Sequence, residues 1–453
     1  MTNQPIATPI SLYPDPDALG TVTDLYQLTM MAGYQAAGLS DAHAVFELFV
    51  RRLPPNRAYL VFAGLEQAVR DLLALRFSSE QISYVRSLRI FQGVAPSWFD
   101  QLADMRFQGN IWAAPEGSVV FAGEPLVRIE GPLPQAQWVE TLLIASLSYP
   151  TLVASKAARV VEASGGRPLY DFGLRRGHGP MAGMICARAA AIAGFTGTSN
   201  VEAARRLGIP CMGTMAHAWV QSFDQESEAF AAFAEVFGPM STLLVDTYDT
   251  PEGVRRAALV EPPVAAVRLD SGDLDSLSKE ARAILDASGR TGTRIVASGD
   301  LEEYKVRDIL ASGAPIDAFG VGTELITSRD APSLSMVYKL VELEGRGRMK
   351  LSPGKKTYPM AKQVYRQSDE AGTFVRDLVT KADEQAEGEP LLVPIVRNGR
   401  PVTVPPSLDA IRDHCRRQLD RLPEGLRRLE ADPAYPLAYS DALEDAAHRM
   451  GVI

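Results

Sequence analysis

The sequence has few of the features that are typical of secreted proteins, membrane proteins or proteins stabilised by a structural metal ion. It contains only three cysteines, Cys186, Cys211 and Cys415, which have neither metal-ligand spacing nor the even number of a disulfide framework. We expect them to be buried thiols in a reducing compartment. No stretch approaches the roughly 18 uninterrupted apolar residues of a membrane span. The proline-rich start of the chain also lacks the basic and apolar regions of a signal peptide, so we expect a cytoplasmic protein.

An excess of positive charge is also lacking. The chain has 46 basic and 55 acidic residues, which gives a formal net charge of −9. This balance argues against nucleic-acid and membrane partners, but it allows a local basic pocket for a phosphorylated small molecule. The composition, 46% hydrophobic and 22% charged, is typical of a soluble globular protein. The length of 453 residues suggests about three domains, or one large barrel with additions.

The first part of the chain mixes strands and helices after an N-terminal arm at 1–20. Asp24 is predicted to cap a first helix, with Gln27 at capping-box spacing. Alternating apolar residues predict strands, and helical periodicity predicts two helical stretches. The second stretch is either one long helix or two abutting helices. The predicted strands are 46–53, 111–117 and 119–131, and the helical stretches are 59–75 and 134–164. We expect an α+β domain at 21–145.

A repeating pattern of an apolar run, a polar turn and a helix begins near residue 167. Such repeats predict a parallel sheet, and this many predict a closed or nearly closed α/β barrel, placed at 146–335. The runs are 168–173, 209–214, 242–247, 264–270, 294–300 and 317–323.

The repeat stops after residue 335. Strands are predicted at 337–343 and, with a loop, within 345–366. A hairpin is predicted at 391–405, because Asn398 and Gly399 suit a type I′ turn. The charge-rich tail at 406–453 is predicted to be helical. These elements make up a C-terminal segment at 336–453.

Polar residues follow the predicted barrel strands where each strand ends. In parallel barrels the functional side chains collect at these ends, so the pattern predicts an active site. The residues are Asp171, Arg175, Thr214, His217, Asp246, Arg268, Asp270, Asp273, Ser298, Gly299, Asp300, Gly320, Gly322 and Thr323.

The residue types at these ends narrow the chemistry. Gly-Val-Gly-Thr at 320–323 offers backbone N–H groups to a phosphate monoester. Several carboxylates near arginines suit Mg²⁺ that bridges a polyphosphate. A serine nucleophile elbow, paired CxxC motifs and an HExxH motif are all absent from the sequence. Phosphoryl transfer or pyrophosphate displacement is therefore favoured over acyl hydrolysis and redox chemistry.

Seven motifs closely resemble those of nicotinate phosphoribosyltransferases, and the resemblance runs from about residue 20 to about residue 400. They are TDLYQLTMMAGY, DFGLRR, GFTGTSN, GTMAHAWVQSF, VDTYDT, VRLDSGDL and DAFGVGTEL. The resemblance implies an irregular α/β barrel of the type II phosphoribosyltransferase kind with a discontinuous α+β sandwich domain, to which the C-terminal segment partly returns. It also implies a homodimer with shared active sites. The implied reaction forms nicotinate mononucleotide and pyrophosphate from nicotinate and phosphoribosyl pyrophosphate, coupled to ATP hydrolysis.

The resemblance also implies residue roles. His217 matches the histidine that ATP phosphorylates, and Asp270 and Asp246 match carboxylates near the ribose and Mg²⁺. Tyr26, from the partner subunit, and Phe172 match aromatics that sandwich the pyridine ring. The substrate-binding set is Tyr26, Phe172, Arg175, Ser199, Thr214, Arg268, Gly299, Asp300, Gly322 and Thr323. The simpler alternatives are core aromatics for the rings and helix N-caps for the carboxylates.

Other functions stay open at this point. A nicotinamide phosphoribosyltransferase would share the fold and the phosphorylated histidine. That family, however, has an aspartate at the position of Ser199. A carboxylate there would repel the carboxylate of nicotinate, whereas a hydroxyl can donate to it, so nicotinate is favoured. Quinolinate phosphoribosyltransferases are shorter and lack the histidine motif. A catalytically silent metabolite-binding homologue is the alternative outside the enzymes.

Overall fold

The computed structural model describes residues 11–350, 352, 357–430 and 434–450. The strands are β1 (His43–Val50), β2 (Leu60–Val61), β3 (Asn110–Ala113), β4 (Val119–Val120), β5 (Pro125–Pro132), β6 (Leu169–Asp171), β7 (Gly197–Thr198), β8 (Thr242–Leu244), β9 (Ala266–Leu269), β10 (Arg294–Ala297), β11 (Ala318–Val321), β12 (Met336–Leu343), β13 (Arg346–Gly347), β14 (Lys362–Ser368), β15 (Phe374–Lys381), β16 (Glu389–Pro390), β17 (Val393–Arg397), β18 (Arg400–Pro401) and β19 (Leu437–Tyr439).

The helices surround these strands. They are α1 (Leu25–Ala36), α2 (Leu65–Leu73), α3 (Ser79–Ser87), α4 (Pro96–Asp104), α5 (Leu133–Trp138), α6 (Glu140–Ala163), α7 (Pro180–Ala193), α8 (Val201–Leu207), α9 (His217–Gln221), α10 (Glu226–Phe237), α11 (Thr250–Ala258), α12 (Leu274–Ala287), α13 (Glu303–Ala311), α14 (Thr323–Ile326), α15 (Leu408–Asp420), α16 (Glu424–Arg427) and α17 (Asp441–Arg449). None of them, within the residues described, is long and apolar enough to cross a membrane.

A seven-stranded antiparallel sheet gathers strands from both ends of the chain. Its order is β13-β12-β1-β5-β3-β17-β18, so β12 and β17, which come after residue 335, pair with strands from the first 132 residues. Large apolar side chains of these strands and of the early helices form one core, which includes Trp98, Trp138 and Tyr338. A four-stranded sheet, β16-β14-β15-β19, is formed entirely by residues after 361. The proposed domain boundaries at 20, 145 and 335 stay a prediction.

The parallel sheet has the order β7-β6-β11-β10-β9-β8, and it makes the fold a mixed α/β fold with a parallel half-barrel. Five of the six predicted runs contain one of its strands. The run at 209–214 does not, because it makes only a single bridge, between Cys211 and Thr198. Pro210 has no N–H group for a ladder. The sixth strand is instead β7, whose two residues are too short to show periodicity in the sequence.

Two further predictions need correction in the first 131 residues. The segment 59–75 is a helix only from Leu65, because β2 precedes it and Gly64 turns the chain with φ of 97°. The predicted strand at 119–131 is two strands, β4 and β5, with Gly123 at φ of 90° between them. The helical stretch at 134–164 does consist of two abutting helices, α5 and α6.

The local capping and turn predictions had mixed outcomes. Asp24 precedes α1, but its carboxylate accepts a hydrogen bond from the Thr141 hydroxyl (2.8 Å) and makes no capping box. Gln27 donates instead to Glu140 (2.9 Å). The type I′ hairpin is confirmed, because Asn398 and Gly399 have φ of 49° and 70°.

The tail and the cysteines also differ in part from expectation. The described tail is largely helical, but it includes β19, which pairs in parallel with β15. Cys186 and Cys415 are buried as expected, whereas Cys211 is exposed.

Candidate active site

A cavity of about 460 Å³ lies at the carboxyl ends of the parallel strands. Most of the residues that the sequence assigned to the site line this cavity. They are Phe172, Arg175, Ser199, Thr214, His217, Arg268, Asp270, Gly299, Asp300, Gly322 and Thr323. Tyr26 and Asp246 are not among the lining residues. The strand-end pattern therefore located a single concave site.

The strand order sorts these residues along the cavity. Phe172 and Ser199 follow the paired strands β6 and β7, and the Ser199 N–H donates to the carbonyl of Asp171 (2.9 Å). Glycine-bearing loops follow β11 and β10 in the middle of the sheet. Asp270 follows β9, near the far edge. An elongated ligand along this edge would contact an aromatic ring first, then backbone N–H groups, then carboxylates.

The ring of Phe172 packs against Gly320. A Cβ atom on Gly320 would lie 2.4 Å from Cδ2 and Cε2 of the Phe172 ring, so only a glycine leaves room for it. The turn after β6 is fixed by Asp171, whose carboxylate accepts from the Gly173 N–H (2.8 Å) and from the Thr198 hydroxyl (2.7 Å). Burial raises the pKa of Asp171 despite these hydrogen bonds. Asp171 thus supports the cavity from behind and does not line it.

Arg175 and Arg176 place positive charge at the end of the cavity that holds Phe172. Both line the cavity from the 3₁₀ turn Leu174–Arg176, which directly follows Phe172 and Gly173. Within the part of the chain that the structure describes, neither guanidinium has a side-chain hydrogen bond or an ion pair. Such groups bind carboxylates and phosphates well. The sequence analysis assigned Arg175 and missed Arg176, although its place in the same DFGLRR motif was a usable signal.

Arg268 is the most connected residue of the cavity. Its Nε donates to the Ser298 hydroxyl (2.8 Å), Nη1 to the Thr214 hydroxyl (2.8 Å) and Nη2 to Oδ1 of Asp270 (2.6 Å). Its guanidinium carbon also lies 5.5 Å from the centre of the Phe172 ring. Arg268 therefore links the aromatic end of the cavity to the carboxylate end.

The Asp270 carboxylate is held in its charged form. Its burial raises the pKa, but a hydrogen bond from Ser298 and the charge of Arg268 outweigh this effect and lower the pKa below its usual value. Oδ1 accepts from both Ser298 (2.5 Å) and Arg268. Oδ2 lies 3.9 Å from Nε2 of His217.

His217 reaches the cavity from a segment that contacts both edges of the parallel sheet, β7 through Cys211 and the loop after β8 through His217. The segment leaves β7 at the Cys211 bridge and ends at α9, whose first residue is His217. Nδ1 of His217 lies 3.1 Å from the hydroxyl of Thr247, just past β8. The side chain is 41% exposed. With Nδ1 engaged by Thr247, Nε2 is the ring nitrogen that remains available for chemistry.

The residues fit Mg²⁺ at Asp270 better than at Asp246. Oδ2 of Asp246 accepts from the Asp270 N–H (2.9 Å) and the Ser271 hydroxyl (2.7 Å). Its Oδ1 is buried without a hydrogen-bond partner in the described chain. No group of three or more His, Cys, Asp or Glu residues there could hold a metal alone. Mg²⁺ commonly takes one or two carboxylates plus substrate phosphates, and Asp270 can supply such a ligand.

Tyr26 lies elsewhere on the chain surface. It is on α1 and is 46% exposed, and the burial of part of its ring raises its pKa, with help from Glu140. A single chain does not bring Tyr26 into the cavity. The remaining lining residues had no role assigned from the sequence, although Ser298 and Gly320 belong to the strand-end pattern; apart from Ser298 and Arg176 they are small or apolar. They are Leu174, Gly213, Met215, Ala216, Leu244 and Gly320.

Comparisons with known proteins agree over nearly the whole chain. Three family models match: the nicotinate phosphoribosyltransferase N-terminal domain at 21–148, the nicotinate phosphoribosyltransferase family at 168–381 and the nicotinate phosphoribosyltransferase C-terminal domain at 384–447. Nicotinate phosphoribosyltransferase pncB2 of Mycobacterium tuberculosis is 48% identical over 436 residues, covering 94% of this chain and 93% of its own. The Bacillus subtilis nicotinate phosphoribosyltransferase is 42% identical over 387 residues, covering 82% of this chain and 78% of its own.

A solved structure supports the same assignment. Human nicotinic acid phosphoribosyltransferase superposes with a TM-score of 0.84 at 28% identity, covering 95% of this chain and all of that one. The fold, the cavity and the matches point to one family. The chain belongs to the nicotinate phosphoribosyltransferase family.

Proposed function

We propose that this chain transfers the phosphoribosyl group of phosphoribosyl pyrophosphate to nicotinate, as a step of NAD salvage. The observation that carries the proposal is the order of groups in one cavity: the Phe172 ring and the free guanidinium of Arg175, then glycine-bearing loops, then Asp270. This order matches a pyridine carboxylate joined to a ribose phosphate. The family relatives named above carry the same activity in their names.

The proposed transfer exchanges one bond at C1 of the ribose. The ring nitrogen of nicotinate forms the new bond as the bond from C1 to the pyrophosphate oxygen breaks, and pyrophosphate leaves. Phe172 orients the ring by stacking, and the N–H groups of the loops at Gly299 and Gly322 hold phosphate oxygens. Such a step requires positioning and charge stabilisation more than a protein nucleophile. Asp270 is the residue proposed to hold Mg²⁺, which when bound neutralises charge on the pyrophosphate.

His217 is proposed to couple ATP to this transfer. It would accept the γ-phosphoryl group on Nε2, with ADP as the leaving group, and the phosphate would then pass to water. A neutral imidazole is a competent nucleophile near pH 7. The partly exposed side chain of His217 and the contact of its Nδ1 with Thr247 support this assignment. The His217→Ala variant should lose ATP hydrolysis and ATP stimulation but keep a weak, ATP-independent synthesis.

The finer architecture is part of the proposal. We propose an irregular barrel of the type II phosphoribosyltransferase kind with a discontinuous sandwich domain, and a cytoplasmic homodimer. In such a dimer Tyr26 of the partner subunit would complete the pyridine site, which fits its exposure on α1.

One assay tests the function. Purified protein is given phosphoribosyl pyrophosphate and Mg²⁺ with nicotinate or nicotinamide, with and without ATP, and the mononucleotide product is quantified. We expect product from nicotinate, stimulated by ATP, and little from nicotinamide. A preference for nicotinamide would instead indicate a nicotinamide phosphoribosyltransferase. Binding of nicotinate without turnover under all conditions would indicate a silent homologue.

A further inference from the structure

The hydroxyl of Ser298 lies between the two charged residues at the centre of the cavity. Ser298 is buried, directly follows β10, and is held beside Asp270 because its N–H donates to the carbonyl of Leu269 (2.9 Å). Its Oγ accepts from Nε of Arg268 (2.8 Å) and donates to Oδ1 of Asp270 (2.5 Å). The neighbouring carbonyl of Leu269 is farther away, at 3.4 Å, so the single hydroxyl hydrogen belongs to Asp270.

This hydroxyl fixes the direction of both charged groups. Arg268 is held by Thr214 through Nη1 and contacts Oδ1 of Asp270 through Nη2, but this one contact would leave the carboxylate of Asp270 free to rotate. Ser298 adds a second link, which closes a triangle of Nε, Oγ and Oδ1. The triangle directs Oδ2 of Asp270 away from Arg268 and toward His217. It also keeps the guanidinium over the Phe172 ring.

We propose that Ser298 is a positioning residue of the transferase site, which holds Arg268 and Asp270 in the orientation that the substrates require. Its effect on turnover rests on the proposed function, whereas its link to Asp270 is a property of the folded chain alone. Ser298 acts through the two charged residues and needs no substrate contact of its own.

A matched set of variants tests the kinetic part. Ser298→Ala removes the hydroxyl, and Ser278→Ala is the control because Ser278 is equally buried, in α12, and its hydroxyl donates only to the carbonyl of Asp275 (2.9 Å). Ser298→Thr and Ser298→Val form a second pair of equal shape, in which only the threonine keeps the hydroxyl. We expect kcat/KM with nicotinate to fall on the order of tenfold in the alanine and valine variants. The Ser278→Ala and threonine variants should retain clearly more activity than these two.

A stability measurement tests the contact without turnover. Urea denaturation midpoints are compared for Ser298→Ala in the wild-type background and in an Asp270→Ala background. We expect the serine substitution to shift the midpoint less in the second background, because the hydrogen bond to Asp270 is already lost there.

Each arm has an outcome that overturns the proposal. Equal kcat/KM for the threonine and valine variants, or for Ser298→Ala and Ser278→Ala, would show that the hydroxyl does not position the site. Equal midpoint shifts in both backgrounds would show that Ser298 and Asp270 are not coupled. Wild-type protein inactive with nicotinate would refute the proposed function, and the coupling measurement would then decide on Ser298 alone.

Discussion

Gly320→Ala should disturb the aromatic end of the cavity through one steric contact. The added Cβ atom would lie 2.4 Å from two carbons of the Phe172 ring, whereas carbon atoms in contact lie about 3.5–4.0 Å apart. The β11 backbone cannot move away easily, because Gly320 is paired with Tyr170 of β6. The Phe172 ring must therefore shift by about 1 Å or more.

The expected cost follows from two opposing effects. Overpacking of a well-packed site costs about 1–3 kcal/mol, whereas replacing glycine by alanine at a compatible φ stabilises a protein by about 0.4–1 kcal/mol. We expect a net loss of about 1–2 kcal/mol in the free energy of unfolding. A displaced Phe172 also loses about 1 kcal/mol of stacking, so KM for nicotinate should rise about fivefold.

The assay is urea denaturation together with steady-state kinetics, with Gly213→Ala as the control. Gly213 lines the same cavity, but a Cβ atom there would meet no heavy atom within 4 Å. In a Phe172→Ala background the cost of Gly320→Ala should largely disappear, because the clashing ring is gone. The reasoning would be refuted if Gly320→Ala were as mild as Gly213→Ala, or if its cost persisted without Phe172.

Three further predictions concern selectivity, assembly and pH. Ser199→Asp should lower the ratio of kcat/KM for nicotinate to that for nicotinamide, because the new carboxylate repels the carboxylate of nicotinate. Mixing inactive Tyr26→Ala and Asp270→Asn chains should restore some product formation, because one mixed site would hold both native residues. Burial and neighbouring arginines lower the pKa of His414, which contacts Ser118 (3.0 Å). The unfolded chain therefore binds this proton more readily, and urea midpoints should fall as the pH drops below about 6.5, more for wild type than for His414→Gln.

Each of these has a clear contrary result. An unchanged nicotinate/nicotinamide ratio would place Ser199 outside the base pocket. Failure to recover activity after confirmed subunit exchange would mean that Tyr26 does not complete the site of a partner chain that holds Asp270. Identical pH dependence in wild type and His414→Gln would mean that His414 protonation is not linked to folding.

The sequence predicted those residues of the site that directly follow a strand of the parallel sheet. The carboxyl ends of parallel strands meet at one edge, so residues far apart in the chain, such as Phe172, Asp270 and Thr323, could be assigned to one cavity. Contacts that depend on strand order and side-chain direction could not be assigned in this way. The carboxylate of Asp246, for example, accepts a hydrogen bond from the Asp270 N–H (2.9 Å), a contact that its position after β8 alone did not predict. The sequence could not distinguish Ser298 from the other polar residues at strand ends, whereas the structure places its hydroxyl beside Asp270.

The segment at 209–217 shows why apolar periodicity alone misplaced part of the barrel. Its residues resemble a strand, but Pro210 cannot donate to a ladder, and backbone pairing is limited to the bridge at Cys211. The segment is held at the site instead by side chains, through Thr214 to Arg268 and through His217 to Thr247. Two side-chain contacts are easier to break than a continuous row of hydrogen bonds between paired strands. We therefore expect the position of His217 to respond to a ligand that engages Arg268, which a histidine fixed in a continuous ladder would not do.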